Sequence, residues 1–438
     1  MSRTRVPGLR RPQAGHLLFR APFRERATGC SRVSAVATAH TLHARIAPAA
    51  VLVDERRTLY RLAADLFAPG TELSDNLADH PVVRYEIGRA LAGAGDLDLA
   101  RLHEAAGLRV RDAGVPVAAD PRSAALLEAP LRIIAPPGVV VEPLTEADGE
   151  RFSAALRVVA DGVRLFRALA PDTAVDLLAH VSMLAVLKRE TSGGVVSASS
   201  RYVPGIVLVD EPALPIEVAE ALVHEGAHEK FFDLAITREF LDAHAEDVEL
   251  FETSWSHARW PLEQTFAAWH AYSCLAQFAQ ACAGVEPGPD SLLPKARERA
   301  EEIGAWLLTH EQDLRPDARW LLRALAGEPG GAPSVVDDGG AGIGDGDRFR
   351  LGAGVRHRRA ASGRAVVGRV APLPEIFFLD EDAGRVIGRL PHDGGPVAYD
   401  DIVAGASRSW TVDGETAARR SRAALASLLA SSIVERVS

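Results

Sequence analysis

Cysteine is scarce in this chain: Cys30, Cys274 and Cys282 are the only three in 438 residues, and no two form a C-x-x-C pair. That excludes a disulfide-stapled secreted scaffold and a cysteine-based zinc or redox pair, so a reducing cytoplasm is the expected compartment. Long apolar runs are lacking too. None approaches the roughly 20 residues that a membrane-crossing helix needs, and no membrane partner is expected. Nor is there an excess of positive charge, the formal net value being -10, which argues against general nucleic-acid binding. No repeat is found. The first 45 residues carry nine arginines against one acidic residue, Glu25, and lack the apolar core of a secretion signal. Residues 1–45 are expected to be a disordered extension, or to lie upstream of the true start.

What is present is an ordinary globular composition, 47% hydrophobic and 25% charged, in a chain long enough for two or three domains. Apolar residues at three and four spacing predict helices over Arg56–Phe67, Leu97–Leu108 and Glu146–Leu169. Val139–Val141 reads as a short strand after a Pro-rich connector. Met183–Lys188, Gly194–Ala198 and Gly205–Val209 read as strands of a small sheet, punctuated by Ser192-Gly193 and Pro204-Gly205. Helices follow over residues 215 to about 231, Pro261 to about Gly284, Asp290–Leu308 and Glu311–Leu325. The fold class expected is α+β and mostly helical: a zincin-like small sheet, a metal helix and helical layers.

Residues 327 to about 347 are crowded with Gly, Pro and Asp, and the linker is drawn over 327–368, separating a catalytic region, 46–326, from a tail, 369–438. In the tail Ile376–Leu379 reads as a strand, with helices over Ala383–Leu390, Tyr399–Ala404 and Ala417–Val434. That pattern suits a winged-helix-like domain or a helical extension packed on the main body.

The chemistry sits in His224-Glu225-Gly226-Ala227-His228. On a helix, H-E-x-x-H places two imidazoles on one face with a carboxylate beside them, the pattern of a metal site with a built-in acid/base. Pro215 suits a first helical turn, Glu217 and Glu220 favour its positive end, and Ile216, Ala219, Leu222 and Val223 supply an apolar stripe. A third ligand must come from elsewhere. The helix after Pro261 offers Glu263 and His270, seven residues apart on a shared face. Glu263 would complete a two-His-one-carboxylate set, known for iron(II) and for zinc; it is also a natural first-turn glutamate. His270 would give a three-His site; it is also a natural packing residue between Trp269 and Tyr272. Glu225 would serve as general base for metal-bound water in a zinc peptidase, or orient substrate in an iron oxygenase. Arg259 is a candidate for pairing with a co-substrate carboxylate.

The stretch SASSRYVPGIVLVDEPALPIEVAEALVHEGAHEKFFDL, with SWSHARWPLEQTFAAWHAY after it, resembles the HExxH proteins of peptide natural-product clusters, described as alpha-ketoglutarate-dependent peptide beta-hydroxylases. That family pairs a Ser-rich strand, the metal helix and, further on, a Trp, an Arg-Pro-Leu-like turn and a His-bearing helix. Here the turn is Trp260-Pro261-Leu262, with Arg259 displaced by one residue, and the downstream His stands at a different offset. The resemblance implies iron(II) on His224 and His228 with His270 as third ligand, alpha-ketoglutarate and O2 as co-substrates, and beta-hydroxylation of a side chain in a ribosomal precursor peptide. It also implies a leader-recognition role for the tail. Two other readings stay open: a zinc metallopeptidase built on His224, Glu225 and His228, and a non-catalytic peptide-binding protein whose metal is structural.

Overall fold

The chain is described by a computed structural model over residues 48–134, 140–238, 240–241, 248–326, 342–360, 364–369 and 375–437. Residues 1–45 and most of the Gly/Pro/Asp-rich connector lie outside these, so the expectations for the Arg-rich start fall there as well. The protein is α+β and about 54% helical, the helical majority that the apolar spacings predict.

Two five-residue apolar strands explain the central layering. In β3 (Met183–Leu187) and β5 (Ile206–Asp210), alternate side chains enter two different cores, because successive strand residues point to opposite faces. Leu184, Val186, Val207 and Val209 join one core; Met183, Ala185, Leu187, Ile206 and Leu208 join the other. A strand covered on both sides needs apolar residues at every position, hence the unbroken runs. β3 and β5 are parallel and in register from Met183↔Ile206 to Leu187↔Asp210. The sheet is completed by a hairpin of β1 (Val110–Asp112) and β2 (Pro116–Ala118) on one side, and by the two-residue edge strand β4 (Ser197–Ala198), antiparallel to β5, on the other, in the order β1-β2-β3-β5-β4. Gly194–Val196 forms no strand, and Val140–Val141 is not a strand either; the nearest pairing is the single bridge Pro143↔Leu187.

One face of the sheet carries N-terminal helices: α1 (Ala49–Phe67), α2 (Asp75–Asp79), α3 (Pro81–Leu91), α4 (Leu99–Ala106) and α5 (Ser123–Ile134). The other face carries α6 (Glu150–Leu169), α7 (Pro171–Leu178), α8 (Pro215–Thr237) and α9 (Leu262–Ala281), backed by α10 (Ala296–Thr309) and α11 (Pro316–Ala326). A small ladder of β6 (Phe251–Glu252) and β7 (Arg259–Trp260) precedes α9. Helices α6 and α8 touch closely at Gly162, where an added Cβ would lie 2.5 Å from the Val218 Cβ and 2.7 Å from the Pro215 carbonyl oxygen.

Helix α8 corrects one expectation. It is longer than the stretch to residue 231, and it is buried on all sides rather than amphipathic, with Glu220, His224, Glu225, His228, Glu229, Lys230 and Asp233 all inside. The apolar stripe seen in the sequence is real, but the polar residues opposite it also face protein.

A second correction concerns residues 342–368, assigned above to a linker. They form β8 (Arg348–Leu351), β9 (Val355–Arg359) and β10 (Ala365–Arg369), and with β11 (Glu375–Leu379) they open the C-terminal unit. Alternation is visible in β8, whose Phe349 and Leu351 are buried between exposed Arg348 and Arg350. β9, β10 and β11 make an antiparallel sheet, and β12 (Val397–Ala398) and β13 (Val434–Val437) flank β8. Helices α12 (Glu381–Ile387), α13 (Tyr399–Trp410) and α14 (Gly414–Ala430) close a separate core that includes Val386, Ile402, Leu425 and Leu428. This unit rests on α1, where Arg356 reaches Asp65 at 3.1 Å and Gly368 admits the Leu66 side chain.

Candidate metal centre on helix α8

His224 and His228 lie one turn apart on α8, each about 97% buried. Their rings meet edge to face with centroids 4.8 Å apart. The Tyr272 ring from α9 packs 5.6 Å from His224, and Phe232 stacks on His228. Burial keeps both imidazoles neutral: His224 is held well below its ordinary range by desolvation first, then by the His228 ring and the Arg299 charge, and desolvation brings His228 down to about 4. A neutral imidazole is the form that binds a metal ion.

Glu225 lies between them in sequence and is tied to the sheet. Its Oε1 accepts from Ser197 Oγ at 2.7 Å and its Oε2 from Ser199 Oγ at 2.6 Å. Ser197 lies in β4 and Ser199 just beyond it, two positions on, and the two hydroxyls reach the same carboxylate. Desolvation raises the Glu225 carboxyl to about 7, against the two serine hydroxyls, which lower it. No cation is among the causes, so the group stays near the point of half-ionisation at neutral pH.

The residues expected as third ligands have the following neighbours. His270 Nδ1 is 2.9 Å from the Ala227 carbonyl oxygen, its Nε2 is 3.9 Å from Cys274 Sγ, and its ring packs against Phe231. Glu263 stands in the first turn of α9 and is ion-paired with Arg201, whose guanidinium also lies over the Tyr202 ring. Among the described residues, no three His, Cys, Asp or Glu side chains come together at metal-holding spacing. Arg259 is exposed on β7, opposite Glu252 in the ladder. The structure places His224, Glu225 and His228 on one buried helix, sets His270 against the Ala227 carbonyl within the same motif, pairs Glu263 with Arg201 and leaves Arg259 exposed opposite Glu252.

The pair itself fits a divalent transition ion. His228 Nε2 is a buried nitrogen with no hydrogen bond, an arrangement costly without a partner and natural for a metal donor. A hydrogen bond such as that of His270 Nδ1 to a backbone carbonyl is also the kind that orients a ligating histidine, although Nε2 here faces sulfur.

Four residues at the site are not singled out as candidates by the sequence. Ser197, Ser199 and Trp255 fall within the two stretches quoted for the resemblance, the serines in its Ser-rich strand. Arg299 carries no signal: its Nη1 donates to Tyr272 Oη at 2.9 Å, and its guanidinium lies over the Trp255 ring.

Behind the site, α8 is fixed by buried ion pairs. Lys230 Nζ bonds both oxygens of Asp176 at 2.5 and 2.7 Å. Asp233 meets Arg56 of α1 and His180 Nδ1, the latter at 2.5 Å, while Arg56 also reaches Asp79 at 2.6 Å. Glu229 Oε2 accepts from the Gly205 N–H at 2.6 Å. These bonds fix the helix's rotation and depth, and with them the direction of both imidazoles. The chain matches no protein-family model and no curated protein.

Proposed function

We propose that this protein is an iron(II)- and alpha-ketoglutarate-dependent hydroxylase that acts on a side-chain β-carbon of a ribosomally made precursor peptide, with His224 and His228 holding the ion. The single observation that carries this reading is the pair of buried neutral imidazoles, 4.8 Å apart, on a helix locked from behind by ion pairs. Bound iron(II) with alpha-ketoglutarate and O2 would supply the oxidising chemistry; the chain's own part is to hold the reactants and exclude water. His224 and His228 are presented unprotonated, Phe232 and Tyr272 wall the pair with aromatic surface, and Glu225 fastens the edge strand through Ser197 and Ser199.

Both Glu225 oxygens are occupied by hydroxyls, which suits a carboxylate that positions a strand better than one that draws a proton from water. A zincin-like reading is supported by the antiparallel edge strand β4 beside the strand that precedes α8, and on that reading an extended peptide would lie along β4. In the C-terminal unit, two three-stranded sheets, β11-β10-β9 and β12-β8-β13, packed with helices α12, α13 and α14, support the reading of a winged-helix-like leader-binding domain, with β11 at the border of its sheet.

A zinc metallopeptidase is the second reading, and one observation favours it: a buried Glu225 with its carboxyl raised to about 7 has the proton affinity of a general base. Metal analysis and turnover separate the two. The hydroxylase reading expects iron retention, succinate formation from alpha-ketoglutarate and a gain of one oxygen on a peptide, with retention abolished in H224A and H228A. Peptide cleavage with zinc, and no succinate with iron(II), would overturn it.

A further inference from the structure

Helix α8 is flanked by other elements around most of its circumference, and the strip between two of them carries His228. The loop that follows β4 runs along one flank: Ser199 Oγ donates to Glu225 and, a turn farther on, the Gly205 N–H donates to Glu229. Helix α9 lines the other flank, with His270 Nδ1 at the Ala227 carbonyl and Phe266 stacked on Phe231. The far side meets α7 and α1 through Lys230 with Asp176 and Asp233 with Arg56. A helix turns about 100° per residue, so what lies between the loop and α9 is the row of His228, Phe232 and Ala235. Phe232 and Ala235 are half-buried, yet His228 beneath them is only 2% exposed.

Among the described residues, an ion pair crosses this row. Arg201, in the loop after β4, is paired with Glu263 in the first turn of α9, three residues before Phe266. Because the loop and α9 stand on opposite flanks of the row, a bond between them passes over it at the level of His228 and Phe232. The loop holds Arg201 in place by a local turn: Ser200 Oγ accepts from the Tyr202 N–H at 3.3 Å, and the Ser200 carbonyl accepts from the Val203 N–H at 3.0 Å. The guanidinium also lies over the Tyr202 ring, 4.9 Å from its centroid, and donates to Tyr202 Oη at 2.9 Å. The Arg201 and Glu263 side chains are 46% and 30% exposed. A pair so open to water contributes little and weakens with salt, so it covers the row without locking it.

We propose that the Arg201–Glu263 pair is a strap across the histidine-bearing face of α8, which parts before a metal ion or a peptide reaches His228 and closes over it afterwards. The purpose of the strap rests on the reading of the histidine pair as the reactive centre. It gives Glu263 a part other than metal ligation, as the anchor on α9 to which the loop is fastened.

The test is carbethoxylation of the full-length, metal-free protein by diethyl pyrocarbonate, which attacks unprotonated imidazoles, with the rate at His228 followed by peptide mapping. Reaction requires local opening, so the rate follows the population in which the strap is parted. E263Q should raise the His228 rate about two- to fivefold, the range for loss of an exposed ion pair. Raising the salt from about 0.05 to about 0.5 M should accelerate the wild type but not E263Q. R201E/E263R, which restores the pair in reverse, should return the slow rate. His180, fully buried behind α8, should react no faster in either variant. An unchanged His228 rate in E263Q overturns the strap, as does equal acceleration at His180, which reports general loosening; if E263Q fails to fold, R201Q takes its place with the same expectation. The result is separable from the hydroxylase reading. Faster His228 modification supports the strap even where no succinate forms, and an unchanged rate overturns it even in a protein that hydroxylates.

Discussion

Glu225 and Asp233 are buried carboxylates on the same helix, little more than two turns apart, and their surroundings send them in opposite directions. Asp233 faces cations. Burial alone would raise its carboxyl, but the Arg56 charge and the His180 hydrogen bond outweigh that and hold it at about 2. Glu225 faces two neutral hydroxyls, which do not offset desolvation, and it rises to about 7. The lesson concerns what a buried charge is for. Where the protein supplies the counter-charge, at Asp233 and again at Lys230 with Asp176, the residue fixes the fold. Where it supplies only dipoles, as at Glu225, or no hydrogen bond at all, as at His228 Nε2, the residue is poised for something from outside.

The comparison breaks most visibly at Asp233. D233N leaves Arg56 buried beside a neutral amide, and removing one partner of a buried ion pair costs about 3–5 kcal/mol. Urea unfolding at neutral pH should show that loss, and an unchanged midpoint would contradict a fold-fixing role.

The next effect is a stability slope of opposite sign at the two residues, read on chelated protein. Glu225 gives up its proton near 4.5 when unfolded and near 7 when folded, so its contribution is present below 4.5 and is lost as pH rises through 7. Linkage sets the loss at about 3 kcal/mol. E225Q, which cannot ionise, should abolish this decline. Asp233 runs the other way: its carboxyl moves from 3.8 unfolded to about 2 folded, so its contribution is present above 3.8 and is lost as pH falls through 2. That acid limb is worth about 2 kcal/mol and should be missing from D233N.

E225Q also sharpens the functional alternatives. A hydroxylase that uses Glu225 to hold β4 should keep activity within about tenfold, since the amide still accepts from one serine, whereas loss of a general base costs about 10²–10⁴-fold in turnover. The smallest effect is expected for S199A. It removes one of the two hydroxyls on Glu225, should cost about 1 kcal/mol, and should move the midpoint of the neutral-pH stability decline upward; an unmoved midpoint would mean that the serine does not set the Glu225 proton affinity.

The sequence by itself determined the placement of His224, Glu225 and His228 on one helix, the two apolar strands before it and most helix positions, because each depends on spacing within a single element. It also showed α9 in outline. Boundaries were less legible: β8, β9 and β10 lie where Gly-rich text suggested a connector, since short strands flanked by turns carry little periodic signal. Only the tertiary structure decided what those elements face. His270 and Glu263 share a face of α9 as read from the sequence, but the packing of α9 on α8 directs His270 to the Ala227 carbonyl, and the loop after β4 brings Arg201 to Glu263. Trp255, Tyr272 and Arg299 come together across three separate chain segments, Ser199 reaches Glu225 from beside the edge strand, and Arg56 reaches Asp233 from the first described helix. Local spacing records the direction a side chain takes from its own backbone. The partner it meets depends on long-range packing, and buried charge in particular takes its meaning from whatever lies opposite.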